Sequence, residues 1–144
     1  MITCYTAGYQ GHTIETFLDL LAGNGIEHLI DVRQLPFSRK PDFSKKRLQA
    51  HLEAAGIAYT HIPALGTPKP LRDEIRRTKD YAEFFAQMRA LLEENEPALE
   101  EALAIVRSSR SLLLCFEADV STCHRLVVAE ALQQRDPDIS LVHL

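Results

Sequence analysis

A chain of 144 residues, 46% hydrophobic and 25% charged, has the length and balance of one globular domain, which excludes disordered, collagen-like and low-complexity classes. Its net charge of −4 gives no overall attraction to nucleic acid or anionic lipid. Three cysteines without framework spacing argue for a reducing cytoplasm, and the longest apolar run, residues 112–116, is too short to cross a bilayer.

Residues 2–7 are rich in β-formers and stop at Gly8, which predicts a first strand. Thr13 then caps a helix whose apolar positions Ile14, Phe17, Leu18 and Leu21 follow helical spacing, and the Gly-Asn-Gly of 23–25 ends it. A second strand spans 26–32, with Leu29, Ile30 and Val32 nearly continuous, as in a strand covered on both faces. A loop with Pro36 and Pro41 covers 33–43. Ser44 caps the next helix, with Leu48, Leu52 and Ala55 as its buried stripe, and a third strand over 57–62 halts at Pro63.

Three prolines and Gly66 make 63–79 a long connection, expected to be a functional loop or lid. Asp80 and Glu83 form a capping-box pattern before a stripe of Tyr81, Phe84, Phe85, Met88 and Leu92. Pro97 opens a further helix that runs to Arg107. Residues 111–116 give a fourth strand, and Ser121 or Thr122 caps the last long helix, which Pro137 stops before a final strand over 139–143. The alternation predicts one α/β domain over 1–144: three layers, with an open, mostly parallel sheet of about five strands and helices on both faces.

Ligands of open parallel sheets bind beyond the carboxyl ends of the strands. The unusual polar residues all fall there: Tyr9, Asp31 and Arg33, His61, Cys115 and Glu117, then Cys123, His124 and Arg125. The blocks Gly8-Tyr9, Asp31-Val32-Arg33 with Pro36, Ser38 and Arg39, Pro63-Ala64-Leu65-Gly66, and Leu114-Cys115-Phe116-Glu117 closing in Cys123-His124-Arg125 resemble the signature of the domain of unknown function 488 family. The resemblance covers essentially the whole chain and is most specific in its last block. It departs at Thr67, where a second glycine is expected after Gly66. The resemblance implies a compact cytoplasmic α/β protein of prokaryotic type and carries no established activity.

The residues themselves suggest more. Cys123-His124-Arg125 falls in the first turn expected of a helix, whose N-terminus attracts anions. Arg125, Arg33 and Arg39 offer guanidinium forks for phosphate or carboxylate. Cys123 is a candidate nucleophile, Glu117 and His124 candidate proton carriers, and Tyr9 a wall of the pocket. Cys115, in an apolar strand, reads as a buried inert thiol.

Spacing removes sharper ideas. A phosphatase loop needs arginine six residues after its cysteine, but Ser121 and Ala129 stand there. Cys115, Glu117, Cys123 and His124 have zinc-ligand chemistry without paired spacing, so no metal is expected. No glycine-rich phosphate-binding motif is present, so dinucleotide and nucleoside-triphosphate binding of the usual kinds lack support, and the cofactor is unknown.

The leading expectation is an enzyme that binds a phosphorylated or anionic substrate, a nucleotide or nucleic-acid end, at the carboxyl edge of the sheet. A non-catalytic nucleic-acid-binding module would instead use the basic stretches 33–47 and 69–79. A cysteine-based redox sensor would use Cys123. No membrane partner is expected, and oligomeric state is open.

Overall fold

A computed structural model describes residues 1–144. Its five strands are β1 (Ile2–Gly8), β2 (His28–Asp31), β3 (Ala58–His61), β4 (Ser111–Cys115) and β5 (Ile139–His143). All neighbours are parallel, in the order β3-β2-β4-β1-β5. The six α-helices are α1 (Ile14–Gly23), α2 (Lys45–Ala54), α3 (Lys69–Thr78), α4 (Tyr81–Glu94), α5 (Glu96–Ser108) and α6 (Arg125–Arg135).

The layers are unequal. Phe17 and Leu21 of α1 and Leu48 and Leu52 of α2 pack with Tyr5, Leu29, Leu112 and Leu114 on one face. Leu71 of α3, Met88 of α4, Leu103 of α5 and Val128 of α6 pack with Cys4, Ile30 and Leu113 on the other. Successive strand residues point to opposite faces, so Leu112 and Leu113 serve different cores, and both are fully buried. This is the expected three-layer α/β fold with an open parallel sheet. No helix is long and apolar enough to cross a membrane.

Thr13 caps α1 as expected. Its side chain accepts from the Thr16 amide at 3.1 Å, while Thr16 Oγ1 accepts from the Thr13 amide at 3.0 Å. Asp80 likewise accepts from the Glu83 amide at 3.2 Å, although the Glu83 carboxylate turns to Gln87 rather than closing a box. Three other expectations need correction.

The segment 63–79 is not a lid without structure of its own: a 3-10 turn at Pro63–Leu65 leads into α3. Pro68 precedes α3 and Pro70 lies in its first turn, where no backbone N–H is required, so the prolines mark a helix start. The last helix is not capped by Ser121 or Thr122. Those residues lie in a 3-10 turn, Val120–Thr122, held by the Asp119 carboxylate on the Ser121 amide at 2.9 Å. Helix α6 starts only at Arg125, with His124 at the N-cap. Ser44 stands at the N-cap of α2, but its hydroxyl is spent on Ser38, and Ala55 is exposed.

Candidate functional site at the carboxyl rim

Register puts the chemistry at one level: Gly8 pairs with Cys115, Asp31 with Leu114 on one side and with His61 on the other. The loop leaving β4 folds back over the end of β1. A Cβ on Gly8 would collide with the Glu117 carbonyl, so a hydrogen at this position is what lets the loop approach. Gly66 does the same for the backbone of Gln34, which joins the turn after β3 to the loop after β2. Thr67, the departure from the family pattern, is buried, and its carbonyl accepts from Arg72 Nη1 at 2.7 Å.

Arg33 sits on the α1–α2 side. Its Nε and Nη2 donate to the two oxygens of Asp31 at 2.8 and 2.7 Å, and Nη1 donates to the Phe43 carbonyl at 2.8 Å. Tyr59 donates its hydroxyl to Asp31 Oδ2 at 2.6 Å. Burial works against the Arg33 charge, but hydrogen bonding and attraction from Asp31 outweigh it, and the pKa is raised. Tyr9 is buried, stacked on Phe43 at 4.6 Å with the Arg33 guanidinium 5.4 Å from its ring.

Arg125 lies on the opposite side of the sheet and is fully buried. Its Nε donates to Thr6 Oγ1 at 3.1 Å, Nη2 to the Ala118 carbonyl at 3.3 Å, and Nη1 to the Glu117 carbonyl. No carboxylate lies within ion-pair distance of it. Burial therefore lowers its pKa, with Glu117 and Asp119 opposing only from a distance. The two guanidiniums that sequence grouped as one anion clamp thus point into different layers, and each fastens a loop.

Four reactive groups meet beside Arg125. Cys115, expected to be an inert thiol, has its sulfur bonded to that of Cys123, with the two Cα atoms 7.5 Å apart. Glu117 Oε2 is 3.3 Å and Arg125 Nη1 3.7 Å from Cys115 Sγ. The first free N–H of α6, that of Arg125, points at Cys123 Sγ at 3.5 Å, so this donor serves a sulfur. His124 is buried and donates Nε2–H to the Val32 carbonyl at 2.7 Å. Desolvation lowers its pKa, which favours the neutral imidazole, and desolvation raises that of Glu117.

A family model described as Domain of unknown function DUF488 matches residues 13–132. The chain belongs to this family. Comparison with curated proteins and with solved structures found no match. In this DUF488 chain the matched stretch holds β2, β3 and β4 and nearly all of the helices, while β1 and β5 lie outside it.

Arg39 is exposed on the loop after β2 and makes no ion pair. Sequence reasoning counted two cations of α3 only as part of the basic stretch 69–79 and not as members of the site. Arg72 donates to Gln34 and Thr67, and its charge acts on His124; the exposed Arg76, one turn on, acts on Glu117. Their i, i+4 spacing would have placed them on one face had 69–78 been read as a helix. A hollow of about 400 Å³ between α3 and α4 is lined by Leu71, Glu74, Leu91 and Glu94 and contains none of the reactive groups.

Proposed function

We propose that this rim is the site of an enzyme acting on an anionic substrate, phosphorylated or carboxylated, of the nucleotide or nucleic-acid-end kind. The observation that supports the reading is the gathering of Glu117, Cys115 and Arg125 at the carboxyl end of the sheet, with the charges of Arg72 and Arg76 on α3 felt by His124 and Glu117. The exposed Arg76 supplies a guanidinium for an anion, and Glu117, its pKa raised by burial, a carboxyl able to hold a proton. Arg39 supplies a second exposed cation. Phe37 and Phe116, 68% and 44% exposed at strand-end loops, offer apolar surface to a ring or base. Arg33 and Arg125 act by holding the loops rather than by touching the substrate.

Calorimetric titration with inorganic phosphate, a mononucleotide and a 5′-phosphorylated oligonucleotide tests this. Arg76→Ala weakens each about tenfold, the loss of one charge-assisted contact; equal affinity in the two proteins removes the reading. Binding to the oligonucleotide alone, falling steeply with salt, means instead a non-catalytic nucleic-acid-binding module built on 33–47 and 69–79.

A second reading is favoured by the Cys115–Cys123 bond. As a redox sensor the pair yields two protons and two electrons to a peroxide, which leaves as two waters, and a thiol reductant restores it. Alkylation of Cys123 at the same rate before and after peroxide treatment excludes it.

A further inference from the structure

We propose that Cys115, Cys123 and His124 form a binding site for a thiophilic divalent cation of the zinc class, with a fourth position open towards Glu117. The inference goes beyond the anionic-substrate reading and does not depend on it.

One ligand atom from each of the three residues lies within 4.8 Å of the others, and all three residues are buried. Tetrahedral zinc, with Zn–S of about 2.3 Å and Zn–N of about 2.0 Å, spaces its ligand atoms by roughly 3.3–3.8 Å, so once the Cys115–Cys123 bond is reduced and the two sulfurs part, the three groups can enclose an ion. The backbone agrees. The Cα atoms of Cys115 and Cys123 are 7.5 Å apart, wider than the range of about 4.4–6.8 Å usual for a disulfide. One cysteine is fixed by the end of β4 and the other by the turn before α6. Two elements anchored separately at that span suit an ion lying between two thiolates in the reduced protein.

The surroundings are those of a ligand set. His124 commits Nε2–H to the Val32 carbonyl, which leaves the Nδ1 lone pair for a metal, the arrangement by which outer partners set a ligand's tautomer. Arg125 directs its Nη1 towards Cys115 Sγ and its backbone N–H towards Cys123 Sγ. Both donors favour thiolate over thiol. Local sequence conceals the site because the ligands form no Cys-x-x-Cys pair; the loop after β4 brings them together. Three protein ligands with an open position form the pattern of sites that polarise a bound water or substrate oxygen.

The test titrates the full chain, reduced with a phosphine under argon, with zinc against a chromophoric chelator, and separately with cobalt(II). Expected are one equivalent of zinc, a tetrahedral cobalt spectrum with thiolate-to-metal charge transfer, and protection of two thiols from alkylation. Cys115→Ser, Cys123→Ser and His124→Ala each weaken zinc at least a hundredfold, whereas Cys4→Ser, away from the cluster, leaves it unchanged. Glu117→Gln stays within tenfold, since that position is open.

Cys115 is a core residue, so the cobalt spectrum and alkylation of the unsubstituted protein decide the matter if its variant unfolds. Less than one equivalent of zinc, cobalt without charge transfer, or a requirement for Cys4 overturns the proposal. Zinc binding without phosphate binding upholds this site and removes the substrate reading; phosphate binding without zinc does the reverse.

Discussion

Arg33 and Arg125 are both buried at the same end of the sheet, one in each layer, and their donors are satisfied in different ways. Arg33 meets a buried carboxylate in two parallel hydrogen bonds, so charge is cancelled where it stands. Arg125 meets two carbonyls, a hydroxyl and a sulfur, which satisfy its donors but not its charge. The first arrangement is inert. The second leaves positive potential beside Cys115, Cys123 and Glu117, and that is where the reactive groups collect. In this molecule the layer whose arginine lacks a carboxylate is the one that holds Cys115 and Cys123.

The largest expected effect comes from Arg33→Met, which strands Asp31 with Tyr59 as its remaining side-chain partner and costs about 3–5 kcal/mol in denaturant unfolding. Adding Asp31→Asn recovers part of that loss; no recovery means that charge pairing is not what holds this layer. Arg125→Met strands carbonyls at a rim that water can reach and costs less, about 2–3 kcal/mol. It also slows alkylation of reduced Cys115 and Cys123, and an unchanged alkylation rate breaks the contrast drawn between the layers.

Gly8→Ala pushes the Glu117 loop away from β1, with a loss of about 2 kcal/mol and increased hydrogen exchange over 116–119. The smallest effect is that of Tyr59→Phe, about 1.5 kcal/mol at neutral pH, for one hydrogen bond to a buried carboxylate. It carries a pH signature. Burial, then Asp31, raises the Tyr59 pKa above its ordinary value. The folded chain therefore keeps a proton that the unfolded chain releases, and the Tyr59 contribution to stability is intact below about pH 10 and falls as pH rises beyond it. The variant has a flatter alkaline limb. Burial also pushes the Cys4 thiol up to about 12, so part of the decline, beginning near pH 9, remains in the variant.

Much of this fold was legible along the chain. Thr13, the apolar spacing of α1 and the continuous Leu29-Ile30 are local signals with local causes, and they led to the correct elements. Helix α3 was hidden because its two prolines read as loop until their places before and within the first turn are known. The carboxyl rim was also legible, since strand ends follow from strand positions. The face on which each side chain lands was not. Arg33 follows β2 towards α1 and α2, while Arg125 opens a helix packed on the other face, and crossover geometry rather than local sequence decides between them. Cys115 was misjudged for the same reason: its partner comes from the far side of a turn.

The place of β1 has a consequence for synthesis. It pairs with β4 and β5, drawn from residues 111–115 and 139–143. During translation this apolar strand leaves the ribosome long before either neighbour exists, a delay of roughly 5–20 s at ordinary elongation rates. For that interval its hydrogen-bonding edges have no native partner in the nascent chain, and a chaperone that shields short hydrophobic strands would find it at its most exposed then.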